Sequence, residues 1–173
     1  MDRKDLIERL MMLDEEVSLM FPENDRIRLV IVGGGALVLM EYLSRSTHDI
    51  DVLQVSNKIH DIMATYDMNT TVQTYINNFP YNYEDRLHRI DIKGKTIDFY
   101  TASLEDIIIA KLYSIRPRDH QDIEDPEVLK HINWDLLHHL AVDDDEAHAS
   151  ALNENRYNEF LDTYFEYEGK YRR

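Results

Sequence analysis

The chain has 173 residues, no cysteine, and 34 acidic against 19 basic side chains, a formal charge of −15. Disulfides, thiolate metal sites and cysteine nucleophiles are excluded, and the shortage of Lys and Arg argues against generic DNA binding. Hydrophobic residues at 43% suffice for one core. No apolar run approaches the roughly 18–20 residues of a membrane span, and Met1-Asp2-Arg3-Lys4-Asp5 does not read as a signal peptide, so a soluble, cytoplasmic domain without membrane contact is expected.

In chain order, Asp2 to about Met20 is an amphipathic helix, with Leu6, Leu10, Leu13, Val17 and Met20 at helical spacing. Ile27 to Val32 is a β-branched apolar run of strand length. Gly33-Gly34-Gly35 follows, three of the chain's five glycines, and marks a place where the backbone needs unusual freedom. Ala36 to Leu43 reads as a helix, and Asp49 to Leu53 as a second strand. Ser56 can cap a helix running to about Tyr66, with another around Thr71 to Asn78.

Arg89 to Tyr100 predicts a β-hairpin turning at Lys93-Gly94. Ser103-Leu104-Glu105-Asp106 caps a further helix, which Pro117 would stop. Residues 119–173 are helical in pattern and hold 15 acidic and 5 basic side chains. The fold class expected is α+β: a small mixed β-sheet flanked by helices, with a C-terminal helical extension. The division expected is a first domain over residues 1–125 and an extension over 126–173.

Two features carry chemistry. Asp49 and Asp51 are two apart on a strand, so both side chains share a face, while Ile50 and Val52 point toward a core. Paired carboxylates with only oxygen donors suit Mg²⁺ or Mn²⁺ with further oxygens from a triphosphate. The glycine turn upstream exposes backbone N–H groups at a helix start, which suits a phosphate. Taken singly, the turn can be tight packing and the Asp pair a solvated edge. Together they are the apparatus of phosphoryl or nucleotidyl transfer. Neither a Walker motif nor Gly-x-Gly-x-x-Gly is present.

Val32-Gly33-Gly34-Gly35-Ala36-Leu37, followed by Arg45-Ser46-Thr47-His48-Asp49-Ile50-Asp51-Val52, resembles the nucleotidyltransferase superfamily with the polymerase-β-like palm. More narrowly it is similar to minimal bacterial enzymes related to the AbiEii abortive-infection toxins. That branch also carries a later Lys, an Arg and Asp-x-x-Asp, met here by Lys111, Arg116 or Arg118, and Asp119-His120-Gln121-Asp122. The resemblance implies a nucleoside triphosphate as substrate and an acceptor hydroxyl on tRNA, a protein or a small molecule, with a toxin–antitoxin or phage-defence role. It implies metal binding by Asp49, Asp51 and a third carboxylate, and nucleotide binding by Gly33, Gly34, Gly35, Arg45, Thr47 and Lys111. One departure is Gly35, where the family often has a serine whose hydroxyl contacts phosphate.

For the third carboxylate, the expected hairpin register puts Asp91 opposite Thr96 and Arg89 opposite Asp98, all on the open face. Asp98 is the better candidate, with an ordinary ion pair to Arg89 as the alternative. Lys111 either neutralises charge on the triphosphate or lies along the surface as lysines commonly do. Asp119 would act at the site or orient a basic partner.

Weaker signals complete the reading. The eight histidines show no metal-binding spacing, and Asp143 to Glu146 reads as a solvated loop. Tyr157, Phe160, Tyr164, Phe165, Tyr167 and Tyr171 form an aromatic stripe, read first as core packing and second as a surface for a protein partner. The alternative function is a palm that has lost turnover and acts by binding.

Overall fold

A computed structural model describes residues 1–22, 25–151 and 153–173, apart from the side chains of 54 and 72–75. The chain forms two compact units, one of Met1–Thr74 with Leu87–Ala102 and one of Tyr75–Arg86 with Ser103–Arg173.

The first unit is built on a mixed five-stranded sheet. Its strands are β1 (Ile27–Val32), β2 (Ile50–Gln54), β3 (Met68–Asn69), β4 (His88–Arg89) and β5 (Ile97–Thr101), in the spatial order β3-β2-β1-β5-β4. β1 is central, antiparallel to β2 and parallel to β5, while β3 runs parallel to β2 and β4 antiparallel to β5. One face carries Ile27, Leu29 and Ile31 of β1, Ile50 and Val52 of β2, and Ile97 and Phe99 of β5, all buried. The β-branched apolar runs of the sequence therefore become the core strands, as burial of that surface favours.

Helices complete the unit. α1 (Arg3–Met20) opens with a capping box in which Asp2 accepts from the Asp5 N–H and Asp5 from the Asp2 N–H. It buries Leu6, Leu10, Leu13 and Val17 and packs on α2 (Gly33–Leu39) and α3 (His60–Ala64). The helix expected from Ser56 to Tyr66 is a short 3₁₀ turn at Asn57–Ile59 followed by α3, and Thr71–Asn78 is also 3₁₀.

The expected hairpin is much reduced. β4 has two residues, and Arg89 faces Tyr100 rather than Asp98. The reason lies in α1: Asp14, buried there, accepts from the backbone N–H groups of Lys95 (2.6 Å), Thr96 (2.9 Å) and Ile97 (2.8 Å). Backbone donors at the start of β5 are thus taken by a carboxylate instead of a longer β4. Asp91 lies outside the ladder.

The second unit is helical: α4 (Leu104–Tyr113), α5 (Pro117–Glu124), α6 (Pro126–His131), α7 (Trp134–His138) and α8 (Glu154–Tyr171). Ser103 caps α4 by accepting from the Asp106 N–H. Pro117 does not stop α4, which already ends at Tyr113; it opens α5 in the first turn, where its missing N–H costs nothing. The aromatic stripe of α8 is core at two of its six positions. Tyr164 and Phe160 are buried, and the Phe160 ring stacks on Tyr113 of α4 at 4.3 Å between centroids, whereas Phe165 is exposed. Among the described residues no helix is long and apolar enough to cross a membrane.

Candidate active site

β1 passes into α2 without a connecting loop, since Val32 ends the strand and Gly33 starts the helix. That junction requires Gly33 to adopt φ +68°, the left-handed region. A Cβ on Gly33 would lie 2.8 Å from Oδ2 of Asp51, so close approach as well as conformation demands glycine there. On Gly34 a Cβ would lie 2.8 Å from Nη2 of Arg45, whereas on Gly35 it would meet the Asp49 carbonyl oxygen at 3.6 Å and the Ile50 Cα at 3.9 Å, ordinary contacts. The three glycines thus mark where Asp51, Arg45 and the Asp49 backbone converge on the start of α2.

The strand expected over Asp49 to Leu53 is β2, which starts one residue later, at Ile50. Ile50 and Val52 have no exposed surface, and Asp51 is half-buried opposite Val32 in the β1–β2 register. Asp49 sits just before β2 and is exposed. Thr47, expected among the nucleotide ligands, is buried and donates its hydroxyl to the Asp49 carbonyl at 3.1 Å. Its own N–H and C=O pair with Met1, so it shapes the approach to Asp49 from beneath. The Arg45 guanidinium beside Gly34 also donates to the Ser46 carbonyl.

Asn69 was not legible as a site residue in the sequence. In the β2–β3 register it stands opposite Asp51, and its amide donates to Asp51 Oδ1 at 3.3 Å. Its own Oδ1 accepts the Thr71 N–H at 2.7 Å. A two-residue strand has no periodicity to announce it, and an Asn before two threonines reads as an ordinary turn.

Asp98 does not join Asp49 and Asp51. It faces Arg28 in the parallel β1–β5 register, while Asp51 faces Val32. Four residues of β1 separate those levels, about 13 Å at the rise of a strand. Arg26 grips Asp98 through Nε (3.0 Å) and Nη2 (2.8 Å), and Arg89 adds Nη2 at 2.9 Å. The hydrogen bond from Arg26, with the charges of Arg26 and Arg89, holds the Asp98 carboxyl below the usual range despite some desolvation. Its expected alternative, an ion pair with Arg89, is present diagonally across the strands.

Among the described residues no three His, Asp or Glu side chains are grouped to hold a metal. At the glycine turn lie the Asp51 carboxylate and the Asp49 backbone carbonyl, so the donor set to consider is the Asp51 carboxylate with that of the exposed Asp49. Such a set fits Mg²⁺ or Mn²⁺, which keep several waters and take one or two protein carboxylates beside phosphate oxygens. It does not suit a metal that needs a closed protein cage.

Lys111 and Asp119 belong to the second unit, where they meet each other. Lys111 is buried rather than lying along the surface, and Nζ donates to Asp119 at 2.9 Å and to Asp122 at 3.0 Å. Asp119 also accepts from Ser114 Oγ at 2.5 Å and Arg116 Nε at 2.8 Å. Burial pushes the Asp119 carboxyl up, but Lys111, Ser114 and Arg116 together outweigh it and hold the group at about 2. The Lys, Arg and Asp-x-x-Asp of the sequence are one network joining α4 to α5.

No curated protein and no solved structure matches the chain. A family model does, and it spans both the glycine–Asp motif and the helical unit: over residues 8–172 the chain belongs to the family described as nucleotidyltransferase of unknown function (DUF6036).

Proposed function

We propose that the protein transfers a nucleoside monophosphate from a nucleoside triphosphate to a hydroxyl, using Mg²⁺ or Mn²⁺ held by Asp49 and Asp51. The observation that carries this reading is the close approach of Asp51 Oδ2 to Gly33, which sets a carboxylate against the half-buried backbone at the start of α2. When bound, the metal supplies neutralisation of triphosphate charge and orientation of the reacting phosphorus. Gly33 to Gly35 supply backbone donors for phosphate oxygens, and Arg45 beside Gly34 supplies a cation suited to pairing with them. The acceptor oxygen bonds to the α-phosphorus, the bond to pyrophosphate breaks, and the hydroxyl proton is released.

Asp98 is left out of this site, since two arginines already neutralise it. The Lys111–Asp119–Asp122 network is given a positioning part, fixing α4 against α5. The motif likeness to AbiEii-type toxins supports a bacterial cytoplasmic enzyme acting on tRNA or a protein. The acidic C-terminal helices leave room for a protein partner.

A second reading, nucleotide binding without turnover, draws on the two-carboxylate donor set and on the missing hydroxyl at Gly35. The deciding experiment incubates each labelled NTP with Mg²⁺ or Mn²⁺ and total RNA or lysate, comparing wild type with Asp51→Ala. Label transfer that requires Asp51 supports the enzyme. A nucleotide-induced rise in melting temperature without transfer supports the binding protein, and neither effect sinks both.

A further inference from the structure

The Asp51 carboxylate is held in one rotation. Its Oδ1 receives the Asn69 amide from the edge strand β3, and its Oδ2 faces Gly33. The Asn69 amide is itself fixed, because its Oδ1 accepts the Thr71 N–H and so leaves Nδ2 to point at Asp51. Asp51 and Asn69 are register partners, so the backbone ladder, not a flexible side-chain encounter, brings them together. Asp98 of β5 is level with Arg28, four residues along β1 from the partner of Asp51, and is tied to arginines, so it takes no part in orienting Asp51.

We propose that Asn69 is a positioning residue of the metal–nucleotide site: by holding Asp51 Oδ1 it keeps Oδ2 turned toward the glycine turn as the metal-binding oxygen. The proposal rests on the nucleotidyltransferase reading of Asp49 and Asp51. Groups that hydrogen-bond a metal-binding side chain fix its orientation, and their loss typically weakens metal affinity about 10- to 100-fold. Asn69 fits that part because its amide donates and carries no charge, so it orients Asp51 without competing for the cation.

The test measures Mn²⁺ binding by electron paramagnetic resonance, with a non-hydrolysable ATP analogue, in wild type, Asn69→Ala and Asn69→Ser. Asn69→Ser keeps an oxygen for the Thr71 N–H while losing the amide donor, which separates a local turn defect from loss of the Asp51 contact. Weaker Mn²⁺ binding by about 10- to 100-fold in both variants, with the metal-free melting temperature little changed in Asn69→Ser, is the expected result. Wild-type affinity in either folded variant overturns the proposal and leaves the nucleotidyltransferase reading intact. No Mn²⁺ binding by wild type overturns that reading and the proposal with it. Should both variants fail to fold, the side-chain amide resonances of Asn69 in wild type decide: a shift on adding Mg²⁺ and the analogue supports the proposal, and unchanged resonances overturn it.

Discussion

Asp51 Oδ2 lies where a side chain in place of Gly33 would be: a methyl group there would sit 2.8 Å from it. Strand, glycine turn and carboxylate are therefore one device. Gly33→Ala must hold an L side chain at φ +68°, at about 1–2 kcal/mol, and displace the carboxylate besides. It is expected to melt several degrees lower and to lose any melting-temperature gain from Mg²⁺ with NTP. Gly35→Ala, two residues on, meets ordinary contacts at 3.6 and 3.9 Å and should retain both properties. Thermal melts of the two variants with and without Mg²⁺ and NTP check this, and equal behaviour would refute it.

Gly35→Ser extends the comparison. Its Cβ fits, and replacing a helical glycine contributes up to about 1 kcal/mol through the unfolded chain. If the turn cradles phosphate, the added hydroxyl should lower the Kd for Mg²⁺–NTP in a calorimetric titration. Unchanged or weaker affinity in a folded variant would count against the cradle.

Asp98 supplies a negative control within the same sheet. Its carboxylate is neutralised by Arg26 and Arg89 at the far end of β1 from Asp51. Asp98→Ala should thus leave Mn²⁺ affinity as in wild type, whereas Asp49→Ala and Asp51→Ala should abolish it. Loss of metal binding in folded Asp98→Ala would restore it as a third ligand. The stability cost should be about 1 kcal/mol or less, as for exposed ion pairs, and smaller at high salt.

What the sequence disclosed follows physical lines. β1 was legible to the residue, because a β-branched apolar run has a period and a glycine stop. The burial of Ile50 and Val52 was legible through alternation, while Asp49 falls one residue before the strand. The Lys111 network showed as spacing with its basic partner left open, since two aspartates three positions apart do not say which cation they enclose. The hairpin pairs antiparallel as expected but is shorter and shifted by two residues, because donors at the start of β5 are taken by Asp14, 80 or more positions away in the chain. Asn69 stayed hidden for the same reason: its meaning lies in a register partner, and two-residue strands leave no pattern.

Asp14 is accordingly a structural keystone that composition would count as one more acid. It is buried in α1 and satisfies three consecutive backbone donors, Lys95 and Thr96 and Ile97. Asp14→Ala leaves those donors without their acceptor, at about 1–3 kcal/mol for each group left unsatisfied. Asp14→Asn can keep Oδ1 for Thr96 and Ile97 and should cost less. Amide hydrogen exchange at Thr96 and Ile97 checks the account: both should exchange much faster in Asp14→Ala and only modestly faster in Asp14→Asn.

The Lys111 network predicts how the protein responds to acid. Asp119 titrates at about 2 in the folded chain against an ordinary 3.8. Because the folded value is the lower one, ionised Asp119 stabilises the fold above about pH 4, and that contribution is lost as pH falls toward 2. The difference corresponds to a contribution on the order of 2 kcal/mol for this largely buried group. Urea unfolding followed between pH 5 and 2 should show stability falling through that window, with a shallower fall in Asp119→Asn. Lys111→Met is the harsher change, since it leaves Asp119 and Asp122 buried without the ammonium both accept from. Breaking a buried pair from one side costs about 3–5 kcal/mol, partly offset here by Arg116 on Asp119. If Lys111→Met unfolds no more readily than wild type at pH 7, the network does not hold α4 to α5 and Lys111 must be given a part outside it.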